Sequence, residues 1–397
     1  RILRKNLKFY IRAIILVAAV SGLFVLQSCE NNPNDVGLEF IISDTLGTKV
    51  LDSNKDTLLI THNNFKLFVN TFQAANFFIG KSGDYESKTL LKFSGLSTDY
   101  KGATVYSATL KLHYNKYAFT DTLGTVSFNM YPLNKYYYYP SVTLDTFSSG
   151  SIGTTLIGSY TGAPTDTNTI SIPLDAQTVK NWLEYEADTN YAQKNYGMAL
   201  VPNSNSNTIK AFSKTDSYLC PKLVIIVNKN NKTDTLVYDS PGYVSAVTFT
   251  DAPYSVLPPD RITLQNGLIY GDIMNFDLSK LSEKVTINEA YLRLKWDKAN
   301  SFTARTNPNI FFLMTTDSAA KTNDGIIRSP IQDDSITFSF RLNQIFQTWN
   351  YDKTKNLGIQ LRNISDFTNL DKLVFYGPSV QDTSKRPKLV IRYTPRG

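Results

Sequence analysis

The chain has 397 residues, 41 Lys and Arg against 34 Asp and Glu, and a formal net charge of +7. At about 100–200 residues per domain, this length points to two or three domains, each with its own core. Two Cys exclude a disulfide-stapled scaffold, and two His exclude a conventional zinc site. With 19% charged residues against 24 Tyr and 23 Phe, the composition argues against disorder and toward β-sheet.

The amino terminus carries Arg1, Arg4, Lys5, Lys8 and Arg12, then an apolar run from Ala13 to Leu26. That run is short for a membrane span of about 20 residues and has the layout of an export signal. It ends in Leu26-Gln27-Ser28-Cys29, which resembles a bacterial lipobox. The resemblance implies cleavage before Cys29 and lipid attachment to it, hence a membrane anchor. Residues 1–28 hold five basic and no acidic residues, which leaves 36 basic against 34 acidic residues in the remainder. The positive balance belongs mainly to the signal, so a nucleic-acid partner is not expected. Glu30-Asn31-Asn32-Pro33-Asn34-Asp35 then reads as a flexible tether.

Beyond the tether, period-two alternation dominates. Thr109-Leu110-Lys111-Leu112-His113-Tyr114 and Thr125-Val126-Ser127-Phe128-Asn129-Met130 predict strands with one buried face. No strand–helix alternation of the parallel α/β kind occurs. Val179, Trp182 and Leu183 fall at helical spacing behind Asp175, a candidate cap, and Leu342, Ile345, Phe346 and Trp349 repeat that stripe.

The chain also repeats itself. Ala108-Thr109-Leu110-Lys111-Leu112 matches Ala290-Tyr291-Leu292-Arg293-Leu294, and Leu91-Lys92-Phe93 matches Met274-Asn275-Phe276. Trp182 matches Trp349, and Asn195-Tyr196-Gly197 matches Asn356-Leu357-Gly358. Each copy closes with the same pentapeptide, Pro221-Lys222-Leu223-Val224-Ile225 and Pro387-Lys388-Leu389-Val390-Ile391. The expected organisation is a signal peptide over 1–28, a lipidated tether and lead-in over 29–56, a first sandwich over 57–227, a linker over 228–239 and a second sandwich over 240–397. The polar run beginning Asn228-Lys229-Asn230-Asn231-Lys232 suggests the linker.

This order of landmarks resembles the DNRLRE-type modules of bacterial exported proteins. Lipobox and paired modules together resemble an uncharacterised family of Bacteroidetes lipoproteins. The resemblance implies an all-β fold of two tandem jelly-roll-like antiparallel sandwiches, non-catalytic and in some cases carbohydrate-binding. The second copy departs from the pattern twice, with Asn275 for the usual Lys and Leu357 for the Tyr of Asn-Tyr-Gly.

Few residues suggest chemistry. His62 and His113 lack a nucleophile pattern, and Cys220 reads as a buried, inert thiol. Glu184, Glu186 and Asp188, and the pair Asp333-Asp334, are the candidate acids for a hydrolase or lyase. Asp52-Ser53-Asn54-Lys55-Asp56 begins like a calcium loop but has Thr57 and Asn63 where the loop requires Gly and Glu. No metal ligand set or cofactor is expected, although calcium held by loop carbonyls stays open. Six Asp-Ser/Thr steps, Asp121-Thr122-Leu123 among them, resemble acceptor sites for O-glycosylation. Tyr136, Tyr137, Tyr138 and Tyr139 are the candidate glycan-binding residues. In an extended segment two would face the core and two solvent, whether as an ordinary edge strand or as a sugar platform. Trp182, Trp349 and Trp296 read as core residues. The leading expectation is a lipid-anchored, non-catalytic outer-membrane protein that binds a polysaccharide. The alternative is a structural or assembly subunit with an envelope protein partner, and a hydrolase or lyase comes third.

Overall fold

The structure, a computed structural model, describes residues 47–56, 60–66, 68–165, 168–266, 270–281, 285–303, 311–314, 331–362 and 369–395. The chain forms two compact units, 1–49 and 50–397. Only residues 47–49 of the first are described.

Strands β1 (Lys49–Asp52) and β2 (Ile60–Lys66) come first. They are followed by β3 (Asn76–Ser82), β4 (Tyr85–Phe93), β5 (Thr104–Phe119), β6 (Val126–Pro132), β7 (Gly158–Gly162) and β8 (Thr169–Leu174). Helix α1 (Ala176–Ala187) precedes β9 (Met198–Pro202), β10 (Ile209–Ser213), β11 (Lys222–Lys229), β12 (Lys232–Tyr238) and β13 (Val244–Asp251). The remainder comprises β14 (Arg261–Gln265), β15 (Tyr270–Phe276), β16 (Val285–Lys295), β17 (Phe311–Met314), β18 (Ile331–Gln332) and β19 (Thr337–Arg341). Helix α2 (Asn343–Tyr351) then leads to β20 (Ile359–Arg362), β21 (Lys372–Tyr376) and β22 (Lys388–Pro395).

The fold is all-β, built as two antiparallel sandwiches. One contains the continuous order β12–β11–β5–β10–β3–β4–β9–β6–β7, with β13 on β4 and β8 on β5. The 16-residue β5 joins its two faces, pairing with β8 and β11 through residues such as Leu110 and with β10 through Phe119. The other sandwich has the sheets β1–β22–β16–β19–β18 and β17–β20–β15–β14–β21, with β2 on β15. Alternation places Leu110, Leu112 and Phe128 in the first core, and Leu292, Leu294 and Phe340 in the second.

Module boundaries differ from those expected. The segment 228–239 is not a linker. Asn230 and Asn231 adopt φ of 54° and 64° and form the tip of a β11–β12 hairpin, a left-handed turn that Asn tolerates. The polar run is the turn and the outward face of an edge strand, while Tyr238 is buried in the first core. Strand β13 also joins the first module, pairing Val244 with Phe93 and Asp251 with Glu86.

The lead-in is equally structured, but it belongs elsewhere. Strand β2, expected in the first sandwich, pairs with β15 of the second, Ile60 opposite Phe276 and Lys66 opposite Tyr270. Beyond β1, the Ser53 amide donates to the Leu389 carbonyl at 2.9 Å. Leu51 and Ile60 sit in the second core. The two strands at the head of each sequence repeat therefore complete the module built by the other repeat.

Helices α1 and α2 each close one sandwich. Asp175 caps α1, accepting from the Thr178 amide at 2.7 Å, and Val179, Trp182 and Leu183 face inward. Leu342, Ile345, Phe346 and Trp349 fill the matching positions in the second module. The modules meet at a separate apolar cluster that includes Phe78, Ile209, Tyr270 and Leu370. There Phe119 and Phe302 pack edge to face, their centroids 5.0 Å apart. These two residues hold matching places, opposite Ile209 of β10 and opposite Lys372 of β21.

Candidate functional site

The Tyr run lies in the connection between β6 and β7. It is irregular rather than an edge strand, yet its side chains alternate: Tyr137 and Tyr139 are buried, whereas Tyr136 and Tyr138 are 56% and 62% exposed. Tyr137 and Tyr139 join Leu133 and Val142 in a small core over the outer face of β4, β9 and β13, against Leu90, Ala199, Val247 and Phe249. The Tyr137 hydroxyl donates to Ser151 Oγ at 2.9 Å and accepts from the Ser148 amide at 3.1 Å. Asn70 Nδ2 donates to the carbonyls of Tyr139 at 2.8 Å and Val142 at 2.6 Å. Burial pushes the Tyr139 hydroxyl well above the usual phenol range, so it stays neutral.

The Asn-x-Gly motif fixes the neighbouring surface. Asn195 Nδ2 donates to the Phe93 carbonyl at 2.9 Å, and Gly197 adopts φ of +97°. A Cβ on Gly197 would lie 2.4 Å from the Tyr139 hydroxyl and 2.8 Å from the Leu91 carbonyl, so only glycine fits. Asn356 repeats the bond to the Phe276 carbonyl at 2.9 Å. Between Asn195 and Gly197, Tyr196 projects against Tyr136, ring centroids 6.2 Å apart and edge to face. Lys92 Nζ lies 5.8 Å from the Tyr136 centroid, and burial lowers its affinity for a proton. The two residues flanking Tyr136 are thus the two that the second repeat replaces, with Asn275 and Leu357. Sequence reasoning noted both departures without placing them beside the Tyr run.

The helix ends differ between modules as well. In the first, Glu186 Oε1 accepts from the Gly95 amide at 2.5 Å and the Leu96 amide at 3.2 Å, and Glu184 Oε1 accepts from the Gly102 amide at 2.8 Å. These carboxylates pin the loop between β4 and β5 to α1. With Trp182 matched to Trp349, the corresponding residues of the second module are Tyr351 and Lys353. A cavity of about 300 Å³ lies there, walled by Phe276, Leu278, Leu281, Trp349, Lys353 and Asn356. The buried indole N–H of Trp349 has no hydrogen-bond acceptor.

The remaining candidates hold structure. His113 Nδ1 lies 3.0 Å from Thr169 Oγ1 on the neighbouring strand. Cys220 is buried, and burial raises its thiol above the usual range. Asp188 lies 3.5 Å from Lys101, Asp333 bonds the Ser339 hydroxyl, and Asp334 accepts from the Ile336 and Thr337 amides at 2.7 Å. Trp182, Trp296 and Trp349 are buried. Among the described residues no cluster of three or more His, Cys, Asp or Glu could hold a metal ion. Cys29 and the lipobox lie outside the described residues.

One acid–base pair was not anticipated. His62 Nδ1 on β2 lies 2.9 Å from Asp272 Oδ2 on β15. Asp272 is fully buried, its second oxygen has no partner, and burial pushes its carboxyl up to about 6 against the opposing pull of His62. Only the non-local pairing of β2 brings these residues together, 210 positions apart.

The chain matches no protein-family model and no curated protein at a significant level.

Proposed function

We propose that this is a lipid-anchored, non-catalytic protein of the outer membrane that binds a polysaccharide through the Lys92–Tyr136–Tyr196 face of its first module, with Tyr138 alongside. One observation carries the reading: Tyr136 and Tyr138 stand exposed on a loop whose alternate residues are locked into a core. An aromatic face covers the apolar side of a pyranose ring, and a loop already ordered loses little entropy when it binds one. Lys92 adds a cation that can meet ring hydroxyls or acidic substituents. The anchor rests on the sequence Leu26-Gln27-Ser28-Cys29, and the polar tether gives the modules reach from the membrane.

Affinity electrophoresis through gels carrying a panel of soluble polysaccharides tests the reading. Retardation of the parent chain on at least one polymer is expected, with loss in Tyr136→Ala/Tyr138→Ala and an unchanged melting temperature. Equal mobility of parent and variant on every polymer rules the site out.

The second reading, an assembly subunit, draws on a different surface. Tyr106, Ile226 and Val237 are exposed on β5, β11 and β12, and place apolar side chains on one sheet next to an edge strand. Co-purification of one envelope protein, abolished by Ile226→Lys and not by the Tyr variants, supports this reading over the first.

A further inference from the structure

Strand β12 ends the first module's sheet, pairing with β11 on one side only. Asn230 and Asn231, both at positive φ, join the two strands by a two-residue turn, so Lys229 and Lys232 form the first hydrogen-bonded pair. By alternation Asp234, Leu236 and Tyr238 also turn their backbone groups toward β11, and Thr233, Thr235 and Val237 turn theirs away. Among the described residues the amides and carbonyls of those three have no hydrogen-bond partner. Their side chains are exposed on one face, next to the exposed Ile226 and Tyr106. With seven residues in unbroken register and no proline or bulge, β12 lacks the usual blocks to edge pairing. Its charges are held within the chain: Lys232 meets Asp234 at 2.9 Å, and Asp234 accepts from the Tyr100 hydroxyl at 3.2 Å. The other sheet ends are shorter, β1 and β17 with four residues, β7 with five and β18 with two, or bridged, as β21 is by Trp296 and Phe302.

We infer that β12 pairs antiparallel with β12 of a second copy of this chain, so that one sheet runs across a twofold axis at Thr235. Self-complementarity names the occupant. With Thr235 on the axis it bonds its own counterpart, while Thr233 bonds Val237 of the second copy and Val237 bonds Thr233, so every free amide and carbonyl of the three is paired. An axis at Thr233 or Val237 would leave most of them open. The side chains agree with the same register. Thr233 lies beside Val237 of the second copy on the outer face, a pair of β-branched residues that suits a sheet. Asp234 faces Leu236 and Lys232 faces Tyr238, so no two like charges stand directly opposed. The inference does not rest on the polysaccharide reading, because the loop that carries Tyr136 follows β6, near the other end of the strand order.

The test uses the full chain in detergent. Thr235→Cys sets two like cysteines about 5.5 Å apart across the axis, within disulfide reach, whereas Thr233→Cys leaves them about 13 Å apart. Mild oxidation is expected to give a covalent dimer about tenfold faster in Thr235→Cys than in Thr233→Cys or the parent, whose own thiols set the background. Sedimentation equilibrium at about 100 µM, a concentration suited to a small interface, is expected to give the parent twice the chain mass. Thr235→Pro removes an amide that β11 does not use, and Thr235→Lys sets two ammonium groups together on the axis. Each is expected to weaken association about tenfold or more. Thr235→Lys retains the amide and keeps the test decisive if the Pro variant does not fold. Tyr136→Ala/Tyr138→Ala is expected to leave the mass unchanged. A monomeric parent, equal oxidation of the two Cys variants, or undiminished association in Thr235→Lys overturns the inference.

Discussion

His62 meets Asp272 at 2.9 Å, and the bond joins a strand from the head of the first repeat to the module made by the second. In the first module the matching places, where β13 lies on β4, hold Ala246 and the hydrogen-bonded hydroxyls of Thr89 and Thr248, 2.9 Å apart. The second module thus has an ionisable pair at a seam that the first closes with neutral groups.

Asp272 makes that seam pH-dependent. Its carboxyl stands at about 6, raised from 3.8, so the folded state favours the protonated form. A raised folded value contributes stability that is fully present below pH 3.8 and lost as pH rises through about 6. Asp272→Asn removes that loss. Urea denaturation is expected to show the variant more stable than the parent by about 2 kcal/mol at neutral pH, with the gap closing toward pH 4. A constant gap across that range contradicts the assignment.

The crossed closure predicts which module fails when a head strand is damaged. Ile60→Asp places a charge in the second core at a cost of about 3–5 kcal/mol, although Ile60 precedes the first module in sequence. Hydrogen exchange is expected to lose protection in β15 and β20 and to keep it in β4 and β5. Ala246→Asp is expected to do the reverse. Damage confined to the nearer repeat in either variant refutes the pairing.

Gly197 and Gly358 are expected to be intolerant of any side chain. Gly358 adopts φ of +87°, and its Cβ would lie 2.7 Å from the Met274 carbonyl. Gly197→Ala and Gly358→Ala each cost about 2–4 kcal/mol by thermal denaturation. Gly197→Ala also displaces Tyr139 and disturbs the exposed Tyr136 and Tyr138, so under the proposed function it is expected to reduce polysaccharide retardation, whereas Gly358→Ala is not.

Much of this architecture was legible in the sequence. The Asp175 cap, the Trp stripes and the repeated Asn-x-Gly are local signals, because capping, amphipathic spacing and positive φ act within a few residues. Alternation also sorted the Tyr run into buried and exposed members, although its backbone is not a strand. The crossed head strands were not legible. A strand's own pattern says that one face is buried, not which sheet buries it, and the outward polar residues of β12 look the same as a linker. For the same reason the His62–Asp272 pair and the juxtaposition of Lys92, Tyr136 and Tyr196 lay outside its reach.

Because β1 and β2 of the second module precede the first in the chain, while β12 and β13 of the first follow the turn around Asn230, the modules are clasped rather than strung in series. The first, β3 to β13, is in topological terms an insertion between β2 and β14 of the second. A single scission between the repeats, at the turn around Asn230, would not free two domains, because each fragment would still hold strands built into the other's sheets. For the folded chain, that means a nick need not become a loss.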